Sequence, residues 1–506
     1  MHILETFSNL SSLVIRYRGY LYLVPIFIAA IFGWLWVDIA DDGLITHRSV
    51  NNMLSSGAPY YNTGDTVLGL SSPAYFLLLT GISTIVPVEL AYKAIAFVAY
   101  CFLGIASLRI IVSSRFSQRT IHDDWLKLFV LSLIFASNLH LLYWTFSGLE
   151  TFFIPIFFVL VAMAIRSDQK AVLVGLMITS ILFRPESLVA LIPAAGLGVY
   201  LRTKTPEIAS LSMPRRYALG SLVGMLALAI SVALMMVMYS SRIIPMSILA
   251  KAALDRPDIL DVRYLQNMLA QMVAPYDPPL NFGLLFAFLL IGVAFVLSIS
   301  LLVRNKNSIP LRMLIFGTSV FSVYLLVSGA SVYPWHYSFI SFTISIVAMY
   351  LFSTAMNRKS VTVKPVYVAV ALLIGLGIIS SLNYGNKRNE RIQEFYVGQM
   401  ATLATLVNET FDPDSTIVVG SSGYFGHTAT DMNVIDGIGL WTPEIVDARA
   451  GGDYSPAIEL VKWDGWVCST ADPYCLETAK KNKTVGTVGP LSSKNYILIR
   501  KITGGE

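Results

Sequence analysis

The chain has 506 residues, 55% of them hydrophobic and only 13% charged, with a mean hydropathy of +0.65. That balance excludes an ordinary soluble globular protein, because several apolar runs approach the ~20 residues that cross a bilayer. The net charge of +5 is scattered through short loops with no basic tract interleaved with aromatics, which argues against a nucleic-acid partner.

Taken in order, the first apolar run, 20–37, follows Arg16 and Arg18 and lacks a small-residue cleavage site, so it reads as a retained anchor. Where it stops, the chain turns polar over 38–72 and opens with two adjacent carboxylates, Asp41 and Asp42. Thr46, His47, Arg48, Asn51 and Asn52 follow on a short predicted helix that Ser-Ser-Gly at 55–57 ends. Two tyrosines, an Asn-x-Gly turn at Asn62 and a Ser-Ser-Pro helix start complete the stretch. Ionisable groups at a membrane boundary are costly and usually functional, which makes this loop a site candidate. The competing reading is a solvated connection whose acids cap the helix.

The apolar run at 73–86 is short and is expected to dip into or lie along the outer face. Further runs fall at about 88–112, 127–146, 149–166, 171–183, 186–201, 216–239, 280–303, 310–329, 333–353 and 363–381. Lys and Arg gather in alternate loops, which puts those loops in the cytoplasm and predicts eleven crossings. The opposite loops carry Glu150, Arg184, Glu186, Lys251 and His336 at helix mouths on one side of the membrane. Those groups can converge on a single cavity. Taken singly, Arg184 and Glu186 also fit a structural ion pair, and His336 a packed, hydrogen-bonded histidine.

Composition shifts after Ser381, dividing the chain into a helical membrane domain, 1–381, and an α/β domain, 382–506, on the extracytoplasmic side. EFYVGQMATLATLVNETF has helical spacing; STIVVG, NVID, DGWVCS and NYILIRKI read as strands. GSSGYFG superficially resembles a phosphate-cradling loop but lacks the spacing and lysine of one, and turn glycines explain it equally well. Cys468 and Cys475 suit a local disulfide in an oxidising compartment. No CxxC or HExxH is present, so no metal-site signature exists at this level.

DDGLITHRSVNNMLSSGAPYYNTGDTVLGLSSP, with SGLET at 147–151, FRPES at 183–187, RIIPMSILAK at 242–251, VVGSSGYFG and NVIDGIGL, resembles the GT-C-type membrane glycosyltransferases. The likeness is to the branch of the mycobacterial terminal arabinofuranosyltransferases. Asp65 stands where that family usually has Glu, and His47 and Ser49 stand where aromatics are common. The resemblance implies a polytopic bacterial inner-membrane enzyme with its active site facing the periplasm. It would move a sugar, arabinofuranose first, from polyprenyl phosphate to an acceptor hydroxyl on a glycan, protein or lipid.

Under that reading Asp41 or Asp42 is the general base, with Asp41 the first choice and Asp42 then its orienting or acceptor-binding neighbour. Arg48, Arg184, Lys251 and His336 are the cations for the lipid phosphate, and Asn52, Asn62, Glu150, Glu186, Tyr424 and Asp436 contact substrate. Direct displacement inverts the anomeric centre; a retaining route would need a second carboxylate ~5 Å away, and spacing leaves both open. No cofactor is implied, and a divalent metal beside the two aspartates stays open. Alternatives are another lipid-linked pentose or hexose or, from a different class, a polytopic transporter or lipid flippase. An adhesion or receptor protein would leave the acidic loop unexplained.

Overall fold

The computed structural model describes residues 20–115, 125–204, 215–240, 249–250, 309–327, 336, 338–356, 382–383, 385–488 and 496–502, apart from 63, 66, 67, 421 and 454. Its membrane part begins with α1 (Val24–Trp36), which Pro25 opens in its first turn. The amine of Lys93 donates to the Trp34 carbonyl at 3.0 Å and to that of Val37, placing a cation where the helix exposes its last carbonyls. After four residues the chain turns 79° into α2 (Asp41–Ser56), a polar helix within the stretch expected from the sequence to be an outer loop.

Then come α3 (Pro73–Ser83), α4 (Val88–Arg115), α5 (Trp125–Ala136) and α6 (Leu139–Phe146). The 59° break between α5 and α6 is bonded internally. Asn138 caps α6 by accepting from the Leu141 N–H at 3.0 Å, and donates across the bundle to Ser341 O at 2.9 Å and Ser345 Oγ at 2.7 Å. All of α6 is buried, so its backbone could not turn there without those partners. The bundle continues through α7 (Phe153–Arg166), α8 (Lys170–Phe183), α9 (Ser187–Lys204), α10 (Arg215–Tyr239), α11 (Ile309–Val327) and α12 (Ser338–Met356). Gly317 of α11 brings that helix against the Ala190 carbonyl and Ala194 of α9, where an added Cβ would stand 2.7 Å from the carbonyl oxygen.

The eleven crossings expected from the sequence are not reproduced as eleven long helices. Among the described residues α4 and α10 are long and apolar enough to cross a membrane, or four spans exist if each bent pair counts as one. α8, with 14 residues, is about 21 Å long, short of a ~30 Å hydrocarbon core. The run at 73–86 becomes the 11-residue α3, also too short to cross. The runs 280–303 and 363–381 lie outside the described residues.

The second part begins with a wide π-helical segment, Ile392–Met400, which runs into α13 (Ala401–Thr410). There follow β1 (Thr416–Val419), α14 (Ser422–Thr428), β2 (Asn433–Asp436), α15 (Pro443–Ala450), α16 (Ala457–Leu460), β3 (Gly465–Ser469), α17 (Pro473–Lys481), β4 (Lys483–Val488) and β5 (Tyr496–Arg500). The sheet order is β2-β1-β3-β5-β4. β1 runs parallel to β2 and β3, while β5 is antiparallel to β3 and β4. Alternation sends Ile417 and Val419 to the face packed by α13 and α14, and Val418 to the face shared with Ile445 and Trp466. The expected strands are present, and β4 is added to them: its half-exposed Lys-Thr-Val-Gly-Thr-Val lacks a clear apolar signal. Cys468 and Cys475 form the expected disulfide between β3 and α17, with Cα atoms 5.9 Å apart.

The two parts are joined by more than the chain. Asn389 donates to the Trp36 carbonyl at 2.7 Å, and Trp36 Nε1 donates to Asn386 Oδ1 at 3.0 Å. Gly385 lies flat on the Trp36 ring, where any side chain would collide. The segment around 385–389 is therefore a dock on the end of α1.

Candidate active site

The site grows from the turn between α1 and α2. The Ala40 N–H donates to the Ser147 carbonyl at 2.8 Å, which seats the start of α2 on the Ser147-Gly148 turn. Gly148, at φ +84°, makes that turn in the left-handed region. Ala40 is the N-cap and makes no side-chain cap, so the acids are first-turn residues, favoured there by the helix dipole. At the other end Gly57, at φ +75°, terminates the helix as the Ser-Ser-Gly sequence predicts.

Asp41 does not bond to its own helix. Its Oδ1 accepts from the Tyr424 N–H at 2.8 Å, across 383 residues of chain. This contact requires α14 to lie almost against α2, and the glycines of GSSGYFG allow it. A Cβ on Gly423 would run into the Asp41 carbonyl and stand 2.7 Å from Asp41 Oδ1. A Cβ on Gly426 would strike the Tyr61 hydroxyl and approach Arg48 Nη1 to 2.9 Å. The glycine-rich segment is thus a helix-to-helix contact, with no phosphate-cradle geometry.

Around Asp41 the acids interact. Burial, and then the charge of Asp42, push the Asp41 carboxyl up to about 7, against the lowering effect of the Tyr424 and Gly423 N–H groups. Asp436, at the carboxyl end of β2, is 2% exposed. Its Oδ2 accepts from Ser422 Oγ at 2.9 Å, and its Oδ1 from the Ile438 N–H at 2.8 Å and the Gly439 N–H at 3.2 Å. Burial lifts it to about 6, and the charge of Asp42 adds to the rise. Asp42 itself is exposed and electrostatically coupled to Asp41, Asp436 and Arg184.

The third face is a buried ion-pair group. Arg184 Nη1 donates to Glu186 Oε1 at 2.8 Å, and Arg184 Nε stands 3.1 Å from Glu150 Oε1, close but not aligned for a hydrogen bond. Ser71 Oγ donates to Glu150 Oε1 at 3.1 Å, and Glu150 and Arg184 are each 4% exposed. The motifs at 41–42, 71–73, 147–150, 184–186, 422–426 and 433–436 therefore meet at one end of the bundle.

Several side chains have other occupations than those expected. Arg48 spends its guanidinium on backbone carbonyls: Tyr61 at 2.8 Å, Ala429 at 3.1 Å, Met432 at 3.0 Å and Thr430 and Gly426 beside them. It ties α2 to the α/β domain and has no donor directed at a phosphate. Asn52 donates to the Tyr60 and Tyr61 carbonyls at 2.8 and 3.1 Å. Asn62 exchanges two 2.9 Å hydrogen bonds with Val434, acting as an extra partner for β2. Both amides hold backbone in place where contact with substrate was expected. Arg184 has the ion-pair geometry of the competing reading, enlarged by Glu150.

His336 is half-buried two residues before α12, a helix that packs on the 150–152 turn. Lys251 lies outside the described residues. Tyr424 reaches the site through its backbone N–H, while its hydroxyl donates to the Ile39 carbonyl at 3.0 Å. His47 is fully buried against the Tyr92 ring at 5.0 Å, and burial, helped by His427, pushes it down to about 3. It serves as a neutral flat ring, which accounts for an imidazole at a position where the resembled family has aromatics.

Ser422, Tyr61 and Trp441 were not singled out from the sequence. Tyr61 stacks on Trp441 at 3.8 Å and donates its hydroxyl to the Ser422 carbonyl. Only its place in a Tyr-Tyr pair beside Asn62 could have drawn notice. Among the described residues no group of three or more His, Cys, Asp or Glu is arranged to hold a metal.

No family model matches the chain. Over 83 residues it is 40% identical to the terminal β-(1→2)-arabinofuranosyltransferase of Mycobacterium tuberculosis, a match that covers 16% of this chain and 13% of that protein. The fold can be superposed on the Archaeoglobus fulgidus oligosaccharyltransferase in its apo form, with a TM-score of 0.46, 12% identity, and coverage of 90% of this chain and 70% of that one.

Proposed function

We propose that the chain is a membrane glycosyltransferase that moves a sugar from a polyprenyl-phosphate donor to an acceptor hydroxyl on the extracytoplasmic face, with arabinofuranose as the first sugar to test. The observation that carries this is the carboxylate Asp41, raised to about 7 and held by the Tyr424 N–H, beside the exposed Asp42 at the mouth of an apolar bundle. A base poised near 7 is unprotonated often enough to work and basic enough to take a hydroxyl proton. The local identity to an arabinofuranosyltransferase supports the choice of sugar.

In this mechanism the acceptor hydroxyl gives its proton to Asp41 as its oxygen attacks the anomeric carbon. The bond from that carbon to the phosphate oxygen breaks, and polyprenyl phosphate leaves with the electron pair. One displacement inverts the centre. Asp42, exposed and next to the base, orients the acceptor by accepting from its hydroxyls. Arg184 holds Glu150 and Glu186 in place and lends its positive field to the site. Lys251 and His336 are the proposed phosphate contacts, since Arg48 is committed to carbonyls. Incubating the purified protein with polyprenyl-phosphate arabinofuranose and an oligosaccharide acceptor should release polyprenyl phosphate. Absence of release from this donor and from its pentose and hexose analogues would refute the reading.

A further inference from the structure

The α/β domain contains a cavity of 330 Å³ that the reaction described above does not use. It opens at the carboxyl ends of β1 and β3 and is lined by Val419, Gly437, Trp466, Ser469, Asp472 and Tyr496, among others. Its place in the topology is specific. From β1 the chain crosses through α14 to β2 on one side of the sheet, and from β2 through α15 and α16 to β3 on the other. The gap between β1 and β3 is therefore where the winding direction reverses, the crevice in which open parallel sheets bind ligands. The cavity lies within the range of small-ligand pockets.

The same edge of the sheet builds the acid cluster. Gly437, in the cavity wall, directly follows Asp436, so their Cα atoms are ~3.8 Å apart. Gly420, also in the wall, is two residues from Ser422, whose hydroxyl bonds to Asp436. A ligand in the cavity is thus a neighbour of the carboxylates, on the side of the α/β domain.

The lining selects the chemistry. Trp466 and Tyr496 offer aromatic faces, and Ser469 and Asp472 offer acceptors. Among the described residues no Lys, Arg or His lines the cavity, and Asp472 would repel a phosphate. The Asp and Ser groups would in turn be left unpaired by a prenyl chain. A neutral ring with many hydroxyls satisfies both kinds of wall. The Cys468–Cys475 disulfide joins one wall to the helix that Asp472 caps, so the shape is fixed before anything binds.

We infer that this switch-point cavity is a sugar subsite, holding a residue of the acceptor glycan next to the one that receives the new sugar. The inference rests on the glycosyltransferase reading and assigns its acceptor to the class of neutral oligosaccharides. The test uses the full chain in lipid nanodiscs and two variants. Asp472→Asn keeps the helix cap, since Asn caps as well as Asp, but removes the charge. Tyr496→Ala removes one aromatic face and leaves the ladder backbone intact. Linear arabinose, galactose and mannose oligosaccharides are titrated by calorimetry, and donor hydrolysis to water is followed without acceptor.

The wild type should bind at least one oligosaccharide series, and each variant should weaken that binding about tenfold, the size of one lost ring or charge-assisted contact. The acceptor KM should rise by the same factor, with kcat and donor hydrolysis unchanged. If the wild type binds none of the three series, or the variants bind as it does, the subsite is wrong. Displacement of the sugar by NAD or UMP would also overturn it, in favour of a nucleotide crevice. If donor hydrolysis is absent while sugar binding is present and lost in the variants, the transferase reading fails and the subsite stands.

Discussion

Replacing Asp41 by Asn should stop the enzyme and strengthen the protein. In the folded chain the carboxyl is lifted from 3.8 to about 7, chiefly by burial. Between those two values the folded state binds more protons than the unfolded one, so the wild type loses stability as pH rises, and the loss is complete above pH 7. At 1.36 kcal/mol per unit the full interval would be worth about 4 kcal/mol, and screening at a half-buried side chain reduces it to about 2. Asn keeps the oxygen that accepts from the Tyr424 N–H and carries no charge, so it escapes this loss. Thermal unfolding in nanodiscs should therefore put the variant above the wild type at pH 8, with a gap that shrinks toward pH 4. Transfer should fall by ~10²–10⁴-fold, the usual contribution of a general base, while donor binding is retained. Wild-type turnover should rise with pH through about 7. A stability gap that is flat with pH, or wild-type turnover in the variant, would refute the assignment of Asp41 as a buried base.

The other expectations concern the parts that hold Asp41. Gly423→Ala should separate α14 from α2 at a cost of about 1–3 kcal/mol, the range for overpacking, with loss of transfer that an Ala in the exposed, uncrowded Gly81 position of α3 does not cause; equal effects at both sites would show that the helix contact is unimportant. Arg184→Ala leaves Glu150 buried without its cation, which should cost about 3–5 kcal/mol and show as loss of the monodisperse peak in size-exclusion chromatography. A well-folded Arg184→Ala protein with weakened donor binding would instead make Arg184 a phosphate ligand. The thiols of Cys468 and Cys475 should resist alkylation until reduction; free thiols in protein prepared without reductant would contradict the pairing.

The parts of the fold written in local pattern were legible. The helix after Asp41, its end at Gly57, the strands ending at Val419 and Asp436, and the cysteine pair each depend on neighbours within a few residues. So did the suspicion that Glu150, Arg184 and Glu186 share a face, because all three sit in tight turns between apolar runs. What could not be read was the partner at long range. Arg48 carries the same charge whether it faces a phosphate or the carbonyls of Gly426 and Met432, more than 370 residues away, and only the docked domain decides. Asn62 is alike: its amide imitates a strand edge that exists only once β2 is in place. The eleven crossings are not confirmed, for another reason. Apolar runs mark helices well, but a break such as Asn138 depends on cross-bundle bonding that composition does not record.

The glycine-lined contact between α2 and α14 also orders events in the life of the chain. Tyr424, whose N–H holds the Asp41 carboxylate, is made 383 residues after the acid it serves. A ribosome that has delivered every membrane helix, but not yet Tyr424, has produced an aspartate still bathed in water and ionised like any other. If Asp41 is the base proposed above, it acquires its poise only when the α/β domain has closed onto the bundle. On that proposal catalytic competence is tied to the docking of the α/β domain, and a copy that lacks the contact stays inert.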